Sequence, residues 1–128
     1  MSDTETTFAQ ARQWVDRFVS ERDWHQFHTP KNLAMSLAVE AAELMEHFQW
    51  LSAEQSQAVA KEPEKLAEVA EELADVICYG LALANELGID LATALRGKMA
   101  KNAQKYPVAE YRGRFGADDP NSAGPQNG

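Results

Sequence analysis

Cysteine is almost absent from this chain. Cys78 stands alone, which excludes an internal disulfide framework and a cysteine-rich zinc site and makes a reducing cytoplasm the expected compartment. Long apolar runs are missing too. No stretch approaches the roughly 18 uninterrupted apolar residues of a membrane helix, and no charged start leads into an apolar core with a small-residue cleavage site. Strand signal is all but missing. Positive charge is in short supply: 12 Lys and Arg against 20 Asp and Glu give a formal charge of −8. Such a chain has no overall attraction for a nucleic-acid polymer. Small-ligand chemistry stays open, provided metal ions or a local basic cluster intervene.

What is present fits one folded domain. The 128 residues are 45% apolar and 25% charged, ordinary values that argue against disorder over most of the length. Helix formers dominate, and Gly and Pro fall mainly where helices should begin or end. The pattern predicts a first helix from about Thr7 to Arg22, with Phe8, Ala11, Val15 and Phe18 on one face. The segment DWHQFHT from Asp23 to Thr29 breaks the period. Thr29 is a plausible N-cap with Pro30 at the first helical position, and a second helix is expected to run to about Trp50. Ser52 and Gln55 form a capping-box pattern for a short helix ending before Pro63. A third long helix should span about Pro63 to Leu87, stopped by Gly88. Asp90 should cap a fourth, ending before Pro107. The expected architecture is all-α, a helical bundle of four main helices plus a short connecting helix over residues 1–115. From Gly116 to residue 128 the aperiodic ADDPNSAGPQNG is expected to be a disordered tail.

Two acidic stripes interrupt otherwise apolar helices. On the second helix the polar strip is Ser36, Glu40, Glu43 and His47, continued by Trp50. A helix apolar nearly all round is normally buried, so this strip is expected to face a cleft. On the third long helix Leu66, Val69, Leu73, Val76, Ile77, Leu81 and Ala84 make the expected core face, and Glu68, Glu72, Asp75 and Tyr79 line its edge. Packing the two helices together would gather Glu40, Glu43, Glu72 and Asp75, with raised pKa values as the consequence. Mg²⁺, which prefers carboxylate and water oxygens and then substrate phosphates, would relieve that crowding. For any one ExxE pair a solvated helix face is the commoner explanation. Two such pairs, each the polar exception on an apolar helix, favour a metal site without naming a reaction.

Other residues suit a phosphate or base ligand. Lys98, Lys101 and Lys105 recur at helical spacing with Asn102 beside them, a stripe able to neutralise a triphosphate or simply a solvated helix end. Trp24, Trp50 and Tyr79 are candidates for stacking on a nucleobase; each is more often core when taken singly, and Trp24 has the better case because it sits in a loop. His25, His28 and His47 make no Glu-x-x-His pair of the kind a di-iron bundle wants. Cys78, on an apolar helix, reads as a buried thiol.

The pairs Glu40-x-x-Glu43 and Glu72-x-x-Asp75 resemble the signature of the all-α nucleoside triphosphate pyrophosphohydrolases of the MazG-like superfamily. The flanking stretches ERDWHQFHTPKNL, ELMEHFQW, EELADVICYGLALA and KMAKNAQKYPV are similar to its dCTP pyrophosphatase branch, over about Phe8 to Gly113. The resemblance implies conversion of a deoxynucleoside triphosphate, dCTP or a modified dCTP, to its monophosphate and pyrophosphate as nucleotide-pool cleaning. It implies Mg²⁺, with Mn²⁺ as a substitute, on Glu40, Glu43, Glu72 and Asp75. It further implies Trp24 and Trp50 around the base, Tyr79 near the nucleotide, and Lys98, Asn102 and Tyr106 near the phosphates. A homotetramer built as a dimer of dimers is implied as well. The sequence departs at Val15, where family members can carry a histidine facing the base. Two other readings stay open: a broader pyrophosphatase acting on dUTP or damaged nucleotides, and a non-catalytic helical binding or assembly protein. Retention of all four carboxylates argues against the second. No nucleic-acid polymer or membrane is expected as a partner.

Overall fold

The computed structural model describes residues 1–114 and is helical throughout its regular structure. The expected tail from Gly116 lies outside the described residues. In chain order the helices are α1 (Phe8–Glu21), α2 (Pro30–Glu46), α3 (Ala53–Ala58), α4 (Pro63–Leu87), α5 (Leu91–Lys105) and α6 (Val108–Tyr111), with a 3₁₀ turn at Val59–Lys61 between α3 and α4. No single helix among the described residues is long and apolar enough to cross a membrane.

Side-chain caps set most of the boundaries. Thr7 accepts from the Gln10 amide at 3.2 Å while the Gln10 side chain accepts from the Thr7 amide at 2.8 Å, a reciprocal box that opens α1. Thr29 does the first half of this for α2, with Pro30 in the first turn. Ser52 and Gln55 repeat the full box at α3, and Asp90 accepts from the Thr93 amide at 2.9 Å to start α5. Such caps are worth about 1 kcal/mol each. Gly88 ends α4 at φ 66°, in the left-handed region that a side chain disfavours.

The chain divides into two compact units, Met1–Ile89 and a second beginning at Asp90. In the first, α4 is the centre: α2 lies along it over the greatest length and α1 packs on it as well. Arg12 of α1 ties this arrangement to the end of α4, donating to the Asn85 side chain at 2.9 Å and to the Ala84 and Ile89 carbonyls. The core is small: Val19, Leu33, Val59, Leu81, Ala82 and Ala84. In the second unit, α5 leads to α6 through Pro107, and the Tyr106 and Tyr111 rings meet edge-on, their centroids 5.1 Å apart.

Three expectations are corrected. The second helix ends at Glu46, four residues before Trp50. Its apolar period continues through Phe48, but the amides of His47, Phe48 and Leu51 bond three residues back instead of four, and the chain tightens into turns. The expected burial of α2 and of the full α4 face is also absent from the single chain. Of α2 only Leu33 is buried, while Val39 is 56% and Met45 57% exposed. On α4, Leu81 and Ala84 are buried but Leu66, Leu73 and Ile77 are exposed. Two neighbours, α1 and α2, cover only part of the circumference of a 25-residue helix. Cys78 likewise lies exposed on α4 rather than buried.

Candidate functional site

The site starts from two helical spacings. Three residues apart on one α-helix place two side chains on one face, so Glu40 and Glu43 leave α2 together, as do Glu72 and Asp75 on α4. The α2–α4 packing then faces one pair toward the other. Glu40, Glu43 and Glu72 each bring a carboxylate oxygen within 4.8 Å of the other two. Asp75 stands outside this trio, exposed, one helical turn beyond Glu72; it acts on Glu72 through its charge.

The electrostatics carry the mark of crowding. Glu40 is pushed up from its ordinary 4.5 to about 7, first by proton sharing with Glu72 and then with Glu43, followed by partial desolvation and the two neighbouring charges. For Glu72, donation from Glu40 favours the charged form, but desolvation, Glu43 and Asp75 outweigh it, and its pKa is raised as well. Raised values were the expectation for converging acids. One oxygen on each of two residues, Glu40 Oε2 and Glu72 Oε1, is buried without a hydrogen-bond partner. Buried carboxylate oxygens without donors are costly. A hard divalent cation is the group whose chemistry this donor set fits: oxygens only, negatively charged and clustered.

Beside the acids lies an aromatic cleft of ≈ 300 Å³, lined by Trp14, Val15, Phe18, Val19, Trp24, His28, Cys78, Tyr79 and Ala82. Its wall is built by the turn that follows α1. Asp23 adopts φ 52°, a left-handed conformation that Asp tolerates better than most residues, and the Trp24 amide bonds back to the Val19 carbonyl at 3.0 Å. That reversal lays the Trp24 ring edge-on against Phe18, centroids 5.7 Å apart. His28 follows on the same wall, its ring 6.4 Å from that of Trp24, with Nδ1 buried and unpartnered. Val15 lines the cleft where the family resemblance places a histidine.

Tyr79 joins the two regions. It lines the aromatic cleft and also a second hollow of ≈ 330 Å³ formed with Asn32, Met35, Ser36, Val39 and Glu40. Its hydroxyl is held above its ordinary pKa by desolvation and then by the Glu40 charge, with Ser36 hydrogen bonding in the opposite sense. A ligand with a planar ring and an anionic chain would find its ring wall and its cation cage on either side of this one tyrosine.

The remaining expected residues divide. Trp50 is carried away from the acidic strip by the early end of α2 and is 86% exposed. His47 accepts from the Lys65 ammonium at 2.9 Å instead of extending the acidic set. Lys98, Asn102 and Tyr106 belong to the second unit. There Lys98 is exposed on α5, the Asn102 carbonyl accepts from the Tyr106 amide at 2.8 Å, and the Lys105 ammonium sits 5.3 Å from the Tyr106 ring centroid. Sequence reasoning passed over Trp14 and gave His28 no role in a binding cleft. Trp14 stands one turn before Phe18 at i,i+4 spacing, a signal that was available.

Comparison with known proteins gives concordant results. A family model described as MazG-like matches residues 35–114. The dCTP pyrophosphatase 1 of Rattus norvegicus is 43% identical over 109 residues, covering 85% of this chain and 64% of that protein. The Homo sapiens dCTP pyrophosphatase 1 is 40% identical over 104 residues, 81% of this chain and 61% of that protein. The chain thus spans somewhat less than two thirds of the length of these relatives. Among solved structures, a pyrophosphatase from Archaeoglobus fulgidus is 42% identical and superposes with a TM-score of 0.69, covering 74% of this chain and 87% of that one.

Proposed function

The chain belongs to the MazG-like family, and from that premise we propose that it is a nucleoside triphosphate pyrophosphohydrolase that converts dCTP, or a modified dCTP, to dCMP and pyrophosphate. The observation that carries this reading is Tyr79, which lines both the aromatic cleft and the hollow containing Glu40. One molecule with a base at one end and a triphosphate at the other suits that arrangement. Relatives named dCTP pyrophosphatase 1 support the choice of base. Residues 1–115 are taken as the catalytic domain, with house-cleaning of the nucleotide pool as its role in the cytoplasm.

Glu40, Glu43, Glu72 and Asp75 would hold Mg²⁺, with Mn²⁺ able to replace it; the unpartnered Glu40 Oε2 and Glu72 Oε1 are the oxygens most in need of a cation. When bound, a divalent ion supplies charge neutralisation for the triphosphate and Lewis acidity toward water. Trp24 offers a face for the base, and Tyr79 fixes the sugar end between base and phosphates. One carboxylate of the cluster would serve as general base toward the attacking water instead of as a cation ligand. Lys98, Asn102 and Tyr106 are assigned to the phosphate end and Trp50 to the base.

We also infer a homo-oligomer, a tetramer as a dimer of dimers. Val39, Met45, Leu66, Leu73 and Ile77 stand exposed on α2 and α4, and apolar surface repeated along two helices favours association. Trp50 has its role in this assembly, where a second copy can enclose it. The test of the reaction is product analysis: dCMP and pyrophosphate in equal amounts support it, whereas dCDP and phosphate would refute it.

A further inference from the structure

His25 lies in sequence between the cleft residues Trp24 and His28 without lining the cleft itself, and its ring is held on both nitrogens. Nε2 lies 2.9 Å from Ser20 Oγ and 3.3 Å from Asp16 Oδ1, both on α1. Nδ1 contacts Glu86 Oε1, on α4. One side chain therefore links the segment 22–29 to two different helices. The neighbours of His25 on that segment, Trp24 and His28, are the ones that line the cleft, and Asp23 beside them holds the left-handed backbone.

We propose that His25 is a positioning residue for the cleft: in its charged form it donates from one nitrogen to Glu86 and from the other to Ser20 and Asp16, pinning the segment that carries Trp24 and His28. A neutral imidazole has a single N–H. On deprotonation Nδ1–H can still donate to Glu86 and Nε2 can accept from the Ser20 hydroxyl, but Asp16 loses its donor and both carboxylates lose their cation, so the hold on the segment weakens. The charged groups acting on His25 are Glu86 from α4 and Asp16 from α1. The Glu86 hydrogen bond comes first among the causes that raise its pKa above the ordinary 6.5, followed by the charges of Glu86 and Asp16, with partial desolvation opposing. The clamp is therefore at full strength below the raised pKa of His25 and weakens as pH rises through it. Its consequence is a contribution to nucleotide affinity that is lost toward alkaline pH and that belongs to the aromatic cleft, separate from the titration of the carboxylates.

The inference rests on the dCTP reading, so its test has an arm that needs no turnover. In kinetics, His25→Gln should raise KM for dCTP at pH 6 by about tenfold, the usual size of a lost charge-assisted hydrogen bond, with kcat nearly unchanged. The ratio of variant to wild-type KM should then fall toward one as pH rises, because the wild type loses the same clamp. A constant ratio across pH, equal KM values throughout, or a loss carried by kcat would overturn the proposal. In the nucleotide-free protein, the His25 ring titration followed by ¹⁵N NMR should move to lower pH in both Glu86→Gln and Asp16→Asn, and the intrinsic tryptophan fluorescence should change over the same pH range in the wild type but not in Trp24→Phe. Should no nucleotide be hydrolysed, the functional reading fails and this second arm still decides the clamp. A His25 titration unmoved by both substitutions would overturn it, and the same two variants serve if His25→Gln does not fold.

Discussion

Glu40 on α2 and Glu72 on α4 bring their carboxyl groups together across the helix packing, and each keeps one oxygen buried without a donor. A folded chain keeps such an arrangement at a cost. A cation in the cluster would relieve that cost, and on the proposed function this is what would tie the helix packing to the chemistry.

The first prediction concerns that cost. The pKa of Glu40 lies at about 7 in the fold against an ordinary 4.5. The folded state therefore binds more protons than the unfolded state between these values, and stability must fall as pH rises through that window. Metal-free protein should thus show a Tm that declines from pH 5 to pH 7.5. Glu40→Gln should flatten the decline, and added Mg²⁺ should raise Tm more at pH 7.5 than at pH 5 because proton and metal compete. Differential scanning fluorimetry reads all three.

The second prediction separates catalysis from folding. Glu43→Gln keeps the size of the side chain and removes one charge from the trio. Turnover should fall by at least about 10²-fold if Glu43 is one of the proposed metal ligands. The circular dichroism spectrum should stay helical. A variant with near-normal kcat would remove Glu43 from the site.

The aromatic wall gives the third. Trp24→Ala should raise KM for dCTP about 10- to 100-fold, the range expected for losing one stacked base, and Trp24→Phe should recover much of it. The comparison is made by steady-state kinetics at saturating Mg²⁺. Equal KM values for all three proteins would place the base elsewhere.

The fourth addresses the exposed apolar faces. Leu73 and Ile77 stand one turn apart on α4, and Ile77 is 55% exposed. Sedimentation should give a mass several times the 14.2 kDa of one chain, and Leu73→Glu with Ile77→Glu should shift it toward the monomer. A monomeric wild type would contradict the assembly.

How far these features can be read from residues alone follows from their range. Thr7, Thr29, Ser52 and Asp90 act within one turn, so the helix starts are legible in short stretches. The Glu40–Glu43 and Glu72–Asp75 spacings are equally local, and the convergence of three of those acids follows from packing α2 on α4. The early end of α2 was hidden because the apolar period runs on through Phe48 while the hydrogen bonds change. The aromatic cleft depends on Asp23 taking a left-handed backbone, a choice no periodicity reports. The exposure of Leu73 and Ile77 was also out of reach: an apolar stripe states that something covers it, not whether that partner lies in the same chain.

The most direct test of the central claim is a hydrolysis panel of dCTP, 5-methyl-dCTP, dUTP, dTTP, dATP and dGTP, with and without Mg²⁺, the products resolved by chromatography. Metal-dependent release of dCMP and pyrophosphate, with little turnover of the purine nucleotides, is the predicted result. Equal rates on all six would retain the reaction and contradict the cytosine assignment, and no turnover by folded, Mg²⁺-supplied protein would contradict the account as a whole.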